Sequence, residues 1–471
     1  MAKAGWQVVV LEKHAAPGGR ARLLKEQGFT FDMGPSWYWM PEVYDRYFAK
    51  FGKKREDFYR LQRLDPSYRI YWEKDCMDIP AGAAALQQLF EATEPGAGKQ
   101  LEKFLAEAAF KYRAGMDKLV FKPGQSLSEF ADPDFIKGVF KLDVFNSVKK
   151  HVHKYFKHPK LRQLLEFPVL FLGALPKDMP ALYSLMNYAD IEGGTWYPEG
   201  GMYSIVRAMY DTATELGVEF HFEQNVQHIV IEQKTARTVI TDKGKWEADA
   251  VIVAADYHYA ETAWLDPEYR SYTSNYWNKR VMAPSCLLYY VGLNKKLKNV
   301  RHHALFFDTP FETHAEEIYT SKKWPSSPMF YMSTVSATDA AAAPAGCENL
   351  FLLIPVAAGL EGDTEALRDA YFDTIVTRME QRLGESVKEH VVYKKSFAVS
   401  DFVREYNAFK GNAYGLANTL MQTAILKPSC RSKKVKNLFY TGQLTVPGPG
   451  VPPSLISGEV VAGQVTRYFD N

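Results

Sequence analysis

The 471-residue sequence lacks the features that define several large classes of protein. No apolar run reaches the ~18 residues that a helix needs to cross a bilayer, and we expect no signal sequence at the amino end. The four cysteines are widely spaced without a C-x-x-C pair, which argues against a disulfide framework or a zinc site and favours a reducing compartment. Because 57 Lys and Arg oppose 55 Asp and Glu, no basic excess points to nucleic acid as a partner.

What the sequence has in quantity is apolar and aromatic side chains. The length suggests two or three domains' worth of chain, and a hydrophobic content of 46% is enough for a large core. Aromatic residues make up 14% of the sequence. They would suit a channel for a long apolar ligand, or they would simply fill a large core.

The carboxyl-terminal residues 437–463, NLFYTGQLTVPGPGVPPSLISGEVVAG, predict a buried strand, a Gly/Pro-rich turn and a helix. Pro452 and its neighbour Pro453 suit the first turn of that helix, where a missing N–H costs nothing. The positive end of such a helix favours an anion or an electron-rich ring edge. The alternative is an ordinary connection between a strand and a helix. Side chains other than hydrogen would block the backbone at three positions of the turn, Gly442, Gly448 and Gly450.

Near the amino end, residues 7–12 predict a buried strand that finishes at Glu12. In a dinucleotide-binding unit, an acid in that place accepts hydrogen bonds from the adenosine ribose. Gly18, Gly19 and Arg20 then form a turn with a cation at its edge, which suits contact with a phosphate. The alternative for Glu12 is an ordinary carboxylate at the end of a strand.

A glycine-rich phosphate loop is expected about 20 residues before such an acid, yet Glu12 lies close to Met1. Met1 to Gly5 would be the end of the helix that follows the loop, with Gly5 as its stop signal. We therefore expect a truncated record or a start codon assigned too late, since no G-x-G-x-x-G after a strand replaces the loop later in the sequence.

Five sequence blocks identify a family that the chain resembles. Together they are similar to the FAD-dependent carotenoid desaturases of the bacterial phytoene desaturase type, within the larger amine-oxidase-like flavoprotein group. Five blocks in family order across nearly the whole length are far more specific than any one of them. They are LEKHAAPGGRAR at 11–22, FDMGPSWY at 31–38, WYPEGGMYSIVRAM at 196–209, YNAFKGNAYGLANTLMQTA at 406–424, and the segment 437–463.

The resemblance implies FAD as the cofactor and assigns residues to it. Glu12, the turn from Gly18 to Arg20 and the carboxyl-terminal helix would hold the cofactor. Its isoalloxazine ring would lie near Gly34, Pro35 and the turn that contains Gly448, Gly450, Val451 and Pro452. The chain departs from the family where many relatives carry a His, because Val446 stands there, and where Lys427-Pro428 replaces an Arg-Pro pair. No catalytic acid or base is therefore assigned.

The implied activity is stepwise desaturation of a linear carotenoid precursor such as phytoene toward lycopene or neurosporene. An apolar polyene would be the substrate, and quinone or oxygen would accept the electrons. A flavin-dependent carotenoid cis–trans isomerase, a saturase or an inactive truncated relative would share the same motifs. An amine oxidase is less favoured, because no paired aromatics and lysine could be assigned to amine chemistry.

The predicted fold class is α/β, with a Rossmann-like FAD-binding domain interleaved with an α+β substrate domain. The first would comprise residues 1–64, 192–281 and 400–471, and the second residues 65–191 and 282–399. Residues 65–190 are expected to be mainly helical. A helix over 364–383, capped by Asp363 and stopped by Gly384, would cover the substrate-domain sheet. Residues 337–345 predict a surface loop.

Membrane contact is predicted at residues 167–176, FPVLFLGALP, which are too few to span a bilayer but apolar enough to lie at its interface. Basic residues precede this segment and would suit an anionic surface. The alternative is a buried helix with a solvated charged face before it. With this contact the protein would be cytoplasmic and peripherally bound to the inner face of the membrane. The basic residues are Lys149, Lys150, Lys154, Lys157 and Lys160.

Overall fold

Short strands make up most of the β-structure in the computed structural model, which describes residues 1–126, 129 and 143–470. Among the strands of the described residues, two reach nine residues. The strands are β1 (Val9–Leu11), β2 (Leu23–Glu26), β3 (Phe29–Asp32), β4 (Leu61–Arg63), β5 (Tyr68–Tyr71), β6 (Cys76–Ile79), β7 (Trp196–Pro198), β8 (Glu219–His221), β9 (Val226–Glu232), β10 (Thr235–Thr241), β11 (Lys245–Glu247), β12 (Val251–Val253), β13 (Ser285–Leu293), β14 (His303–Phe306), β15 (Phe330–Ser333), β16 (Glu348–Val356), β17 (Val391–Phe397) and β18 (Leu438–Tyr440).

Helices lie between and after these strands, and the last of them closes the described chain. They are α1 (Pro41–Ala49), α2 (Ala83–Thr93), α3 (Ala97–Lys118), α4 (Val148–Tyr155), α5 (Pro159–Glu166), α6 (Leu185–Ile191), α7 (Tyr203–Glu215), α8 (Tyr257–Tyr259), α9 (Ser274–Asn278), α10 (Phe311–Glu316), α11 (Glu365–Leu383), α12 (Val399–Tyr406) and α13 (Val451–Asp470). Among the described residues, no helix is both long and apolar enough to cross a membrane.

Two parallel strand pairs join distant parts of the chain. β1 pairs with β8, so that Val9 lies opposite Glu219, and β12 pairs with β18, so that Val251 lies opposite Leu438. Within the described residues, β1 and β12 each have a strand partner on one side only, and Val9 and Ile252 are exposed. Parallel pairs of this kind, here with β18 leading into α13, are the elements of a nucleotide-binding α/β unit.

A seven-stranded sheet forms the largest β-structure, in the order β17-β13-β16-β15-β14-β5-β6. Its strands are antiparallel except where β14 meets β5. β13 and β16 are almost completely buried because both faces of the sheet are covered. Leu287 and Tyr289 pack with Ile375 of α11 on one face, whereas Leu288 and Tyr290 join the cluster that includes the helical region.

The structure tests two predictions about individual segments. Residues 65–190 contain helices α2 to α5 and most of α6, so the expected mainly helical structure is confirmed. They also contain β5 and β6, which pair with each other and join the large sheet where β5 meets β14. Thr364, not Asp363, caps α11: its hydroxyl accepts from the Leu367 amide at 3.3 Å. Asp363 instead forms a two-point ion pair with Arg368, at 2.7 and 2.8 Å.

The predicted surface loop 337–345 is wrong in part. It contains a short 3₁₀ helix, Ala340–Ala342, and Ala342 and Ala343 are buried. The segment packs against the turn at Gly28. A Cβ added to Gly28 would lie 2.9 Å from the Pro344 ring. Composition alone predicts a surface loop for this run of alanines, because the segment that covers it is distant in sequence.

The predicted membrane segment is mostly buried, so the alternative interpretation is correct. Residues 167–172 form a short 3₁₀ helix directly after α5, and Phe167, Val169 and Ala174 lie in the main core. The basic flank before it includes the exposed Lys149 and Lys150. A segment that packs inward in this way offers few apolar side chains to a lipid surface.

Candidate functional site

Glu12 lies directly after β1, beside the end of β8. Its backbone amide donates to His221 O at 2.9 Å, and its carbonyl accepts from Gln224 N at 2.8 Å. One carboxylate oxygen accepts from the His14 amide at 2.9 Å, which fixes the side chain at the strand end. The predicted ribose ligand therefore stands where the fold type places an acid, at the carboxyl end of a parallel strand.

The turn after Glu12 is built from two glycines with positive φ, 125° at Gly18 and 53° at Gly19. A Cβ on Gly18 would lie 3.1 Å from Ala21 O and 3.3 Å from the Tyr203 ring, whereas nothing lies within 4 Å of the same position on Gly19. The turn therefore packs against the start of α7 at Gly18, and the space beside Gly19 is unobstructed. Since Gly19 and Arg20 begin a helical turn, their amides have no acceptor within it and suit an anion.

Arg20 connects this turn to the other end of the chain. Its guanidinium lies over the Tyr406 ring at 5.2 Å. When the Gln443 amide is oriented so that its nitrogen donates to Ala413 O, its oxygen accepts from Arg20 Nη2 at 3.2 Å. Arg20 Nε is buried without a hydrogen-bond partner among the described residues, and burial lowers the pKa of the group.

Gly34 touches the backbone of the amino-terminal turn. A Cβ at Gly34 would lie 2.5 Å from Arg20 O, so that only glycine fits this crossing. Met33 fixes the loop on both sides: its amide donates to Arg22 O and its carbonyl accepts from the Tyr290 hydroxyl, each at 2.8 Å. The half-buried Pro35 follows within the same loop.

An aromatic wall continues from this loop along one face of the seven-stranded sheet. Trp37 stacks on His303 at 4.2 Å with nearly parallel rings, and it lies 5.7 Å from Tyr331. Tyr331 in turn lies 6.2 Å from Phe351. Burial holds the His303 pKa well below its usual range, so this ring is neutral near pH 7. The wall is apolar and brings no charge to the site.

The carboxyl-terminal turn is held by a small hydroxyl network. Ser457 of α13 accepts from the Gly442 amide at 3.1 Å and bonds the Thr441 and Thr445 hydroxyls at 3.1 and 3.0 Å. Thr445 N donates to Gly442 O at 3.0 Å. These bonds bind the turn to α13, and a Cβ on Gly442 would meet nothing within 4 Å.

The turn reaches α13 through Gly448 and Gly450, whose φ values are 138° and 114°. Val451 begins the helix, and Pro452 and Pro453 follow in its first turn, as predicted. Because the two prolines lack an N–H, the first turn of the helix leaves fewer backbone amides without an acceptor. The structure therefore presents a helix amino end beside an open glycine turn.

Two buried polar atoms that the sequence did not single out lie beside Gly448. A Cβ there would be 3.2 Å from Asn418 Oδ1 and 3.4 Å from Lys427 Nζ. Neither atom has a hydrogen-bond partner among the described residues. Burial lowers the Lys427 pKa to about 7. The only signal in the sequence was the replacement of an Arg-Pro pair by Lys427-Pro428.

Position 446 offers no proton carrier. The Val446 side chain is buried, and its Cγ1 lies 3.3 Å from where a Cβ on Gly124 would stand. Besides the aromatic wall, the groups around the turn are an amide, a hydroxyl network and the Lys427 ammonium. No catalytic acid or base follows from this set.

The residues present fit a dinucleotide with a flat ring. Arg20 Nε, Lys427 Nζ and Asn418 Oδ1 are buried polar atoms without a hydrogen-bond partner among the described residues, as expected of groups that bind a ligand. Gly19 and Gly442 leave open faces at the two turns. Glu12, the Gly18–Arg20 turn and the α13 amino end supply the acid, the amides and the positive helix end that such a molecule needs.

Comparison with known proteins assigns the class. Residues 1–466 match the family model of flavin-containing amine oxidoreductases, and the chain belongs to that family. It is accordingly an FAD-dependent oxidoreductase.

The most informative relatives are desaturases. The chain is 39% identical to a carotenoid 3,4-desaturase of Haloarcula japonica, over 98% of this chain and 94% of the relative. It is 31% identical to a zeta-carotene-forming phytoene desaturase of Myxococcus xanthus, over 99% of this chain and 91% of the relative.

Solved structures agree in fold. An oxidoreductase from Methanosarcina mazei superposes with a TM-score of 0.62 at 15% identity, over 98% of this chain and 95% of that one. Putrescine oxidase bound to putrescine superposes with a TM-score of 0.60 at 13% identity, over 100% of this chain and 95% of that one. At these identities the likeness shows the α/β fold alone.

Proposed function

We propose that the protein desaturates a linear carotenoid, removing two hydrogens from a C–C bond with FAD as the cofactor. The observation that carries this proposal is similarity to carotenoid and phytoene desaturases over almost the whole of both chains. The aromatic wall that continues from the loop of Gly34 and Pro35 supports it, because an apolar polyene offers nothing that a charged site would recognise.

We propose that two groups of residues, one from each end of the chain, hold the cofactor. The adenosine and phosphate half would be Glu12, Gly18, Gly19 and Arg20, and the ring half would lie against Gly34, Pro35, Gly442, Gly448, Gly450, Val451 and Pro452. Their placement supports this division, since Gly34 touches Arg20 and Arg20 reaches Gln443. Glu12 would repel a 2′-phosphate.

When bound, FAD supplies the acceptor for the two electrons and the hydrogen that no side chain can accept. The chain's own residues position and shield the reactants. Trp37, Tyr331 and Phe351 give an apolar surface that excludes water, and Ser457 holds the glycine turn in place. The Lys427 ammonium, with its pKa lowered to about 7 by burial, holds a proton at Nζ beside Gly448.

The bond that reacts is a second part of the proposal. Phytoene, which would proceed toward lycopene or neurosporene, is supported by the phytoene desaturases among the relatives. The relative at 39% identity carries a name that specifies the 3,4 bond, which favours an end-group position on a longer polyene as the second candidate. With few polar groups along the substrate, its depth in the site would set the bond that is attacked.

We also propose quinone or oxygen as the electron acceptor, and a cytoplasmic location at the inner face of the membrane. A lipid-resident substrate supports the location. The interleaved division of the chain, with 1–64, 192–281 and 400–471 against 65–191 and 282–399, is supported by strand pairing, because β5 and β6 join the sheet of β13 to β17.

The test is product analysis in bacteria. The chain, with any coding sequence upstream of Met1 included, is expressed in one strain that makes phytoene and in another that makes lycopene. New, more conjugated carotenoids in the first strain support phytoene desaturation, and products only in the second support the 3,4 position. Unchanged carotenoids in both strains, despite soluble flavin-bearing protein, would contradict desaturation. Isomers or saturated products without added double bonds would identify an isomerase or saturase.

A further inference from the structure

A surface cavity of about 750 Å³ lies between residues 272–281 and 419–433, with Gly124 and Gln125 at its edge. The two segments are joined at Gln422, whose side chain accepts from Val281 N at 2.9 Å and donates to Val281 O at 2.8 Å. The described lining residues include no carboxylate. Its cations are Lys279, Arg280, Lys427, Arg431 and Lys433.

The outer cations are not neutralised by ion pairs within the described part of the chain. Arg280 lies over the Tyr276 ring at 4.4 Å, and Lys433 lies over the Tyr272 ring at 4.3 Å. Two described carboxylates that contact the ends of the lining segments already accept backbone amides. Glu129 accepts from the amides of residues 124–126, and the buried Glu261 accepts from Ser271 N at 2.7 Å. The cavity therefore faces solvent with a positive charge.

Large apolar side chains surround this positive cavity. Met421 is 70% exposed, Val281 46%, Leu420 44% and Leu426 43%. They are four of the twelve large apolar residues that are exposed in the described chain, and they cluster on two short segments. Single exposed apolar residues are ordinary, but a cluster beside unpaired cations marks an interaction surface.

We propose that this surface, formed by residues 279–281, 420–426 and 431–433, docks on an anionic lipid bilayer. Apolar side chains would enter the interface while the lysines and arginines contact lipid phosphates, the combination that holds a protein at a membrane surface. Nucleic acid would use the charge but leave Met421 and Leu420 without a partner.

The position of the surface fits the proposed reaction, on which this part of the inference rests. Lys427 belongs to the cavity lining, and its Nζ lies 3.4 Å from where a Cβ on Gly448 would stand. The docked face therefore lies next to the glycine turn proposed for the flavin ring. A polyene that resides in the bilayer would leave the lipid close to that turn.

The test is co-sedimentation of the purified full chain with vesicles, in low and in high salt. One set of vesicles is pure phosphatidylcholine, and the other contains phosphatidylglycerol as well. Lys279→Glu with Lys433→Glu removes charge, and Leu420→Gln with Met421→Gln removes apolar contact. The matched controls are Lys149→Glu with Lys150→Glu, and Val392→Gln with Val403→Gln, all of which replace exposed residues elsewhere. Circular dichroism confirms that each variant is folded.

We expect salt-sensitive binding to the anionic vesicles, reduced about tenfold or more in both cavity variants and unchanged in both controls. Absence of binding by the parent, equal loss in the controls, or loss only in the 149/150 variant would overturn the proposal. Binding needs no turnover, so vesicle binding without desaturation would sink the proposed function alone. Desaturation in detergent without vesicle binding would sink this inference alone.

Discussion

At the scale of single residues, Lys427 is the most informative side chain, because its buried ammonium has no partner among the described residues. Below pH 7 the amine is charged in both the folded and the unfolded chain, so the flavin-free fold carries the full cost of burial. Between pH 7 and its ordinary value of 10.5, only the unfolded chain keeps the proton. The stability of the parent should therefore rise with pH across that window.

The first prediction follows from that cost. Lys427→Met should stabilise the flavin-free protein by roughly 1–3 kcal/mol well below pH 7, and the gain should shrink toward alkaline pH. Urea unfolding, once well below pH 7 and once at alkaline pH, measures this difference in stability, with the exposed Lys434→Met as the control. An equal gain at both pH values, or a gain in the control, would mean that the buried charge is not its cause.

At the scale of elements, Asp32 explains why two of the sequence blocks belong together. Its carboxylate accepts from the amides of Met202 and Tyr203 at 2.7 and 2.9 Å and so caps α7. A Cβ on Gly201 would lie 2.8 Å from the same carboxylate, which requires glycine there. The FDMGP and EGGMY blocks therefore meet at one helix end, and burial raises the Asp32 pKa to about 6.

Removing this cap is the second prediction. Asp32→Ala should lower the free energy of unfolding by about 1–2 kcal/mol, since two amides lose their acceptor. Asp211→Ala, on the exposed side of α7, should change it by less than about 0.5 kcal/mol. The denaturant midpoints of the two variants measure these changes in stability. If Asp32→Ala loses no more stability than the control, α7 does not depend on this cap.

The same elements show what the sequence could and could not predict. The strand predicted at the start of residues 437–463 is present as β18, because Leu438–Tyr440 carry their own apolar pattern. β5 and β6 were missed because the sheet that they join, through the contact of β5 with β14, is assembled from residues far along the chain. Lys427 and Asn418 were missed as site residues for the same reason, since only the folded chain places both beside Gly448.

At the scale of the whole molecule, the proposed flavin site joins residues 12–35 to residues 442–452. A ligand held by both ends stabilises only the folded chain, so unfolding should depend on its concentration. In the two parallel strand pairs that frame the site, β1, β8 and β12 each have a partner on one side only among the described residues. If the proposed site is correct, we expect the bound ligand to help hold the two ends of the chain together.

The third prediction follows for Glu12. Added FAD should raise the thermal midpoint of the parent and continue to raise it with concentration. Glu12→Arg should reduce bound flavin about tenfold or more, because it removes charge-assisted hydrogen bonds to the ribose, and its midpoint should respond little to FAD. Glu232→Arg, at the end of β9, is the matched strand-end control and should behave as the parent. Flavin absorbance and thermal unfolding measure both effects, and full flavin retention in Glu12→Arg would show that the adenosine half of the site lies elsewhere.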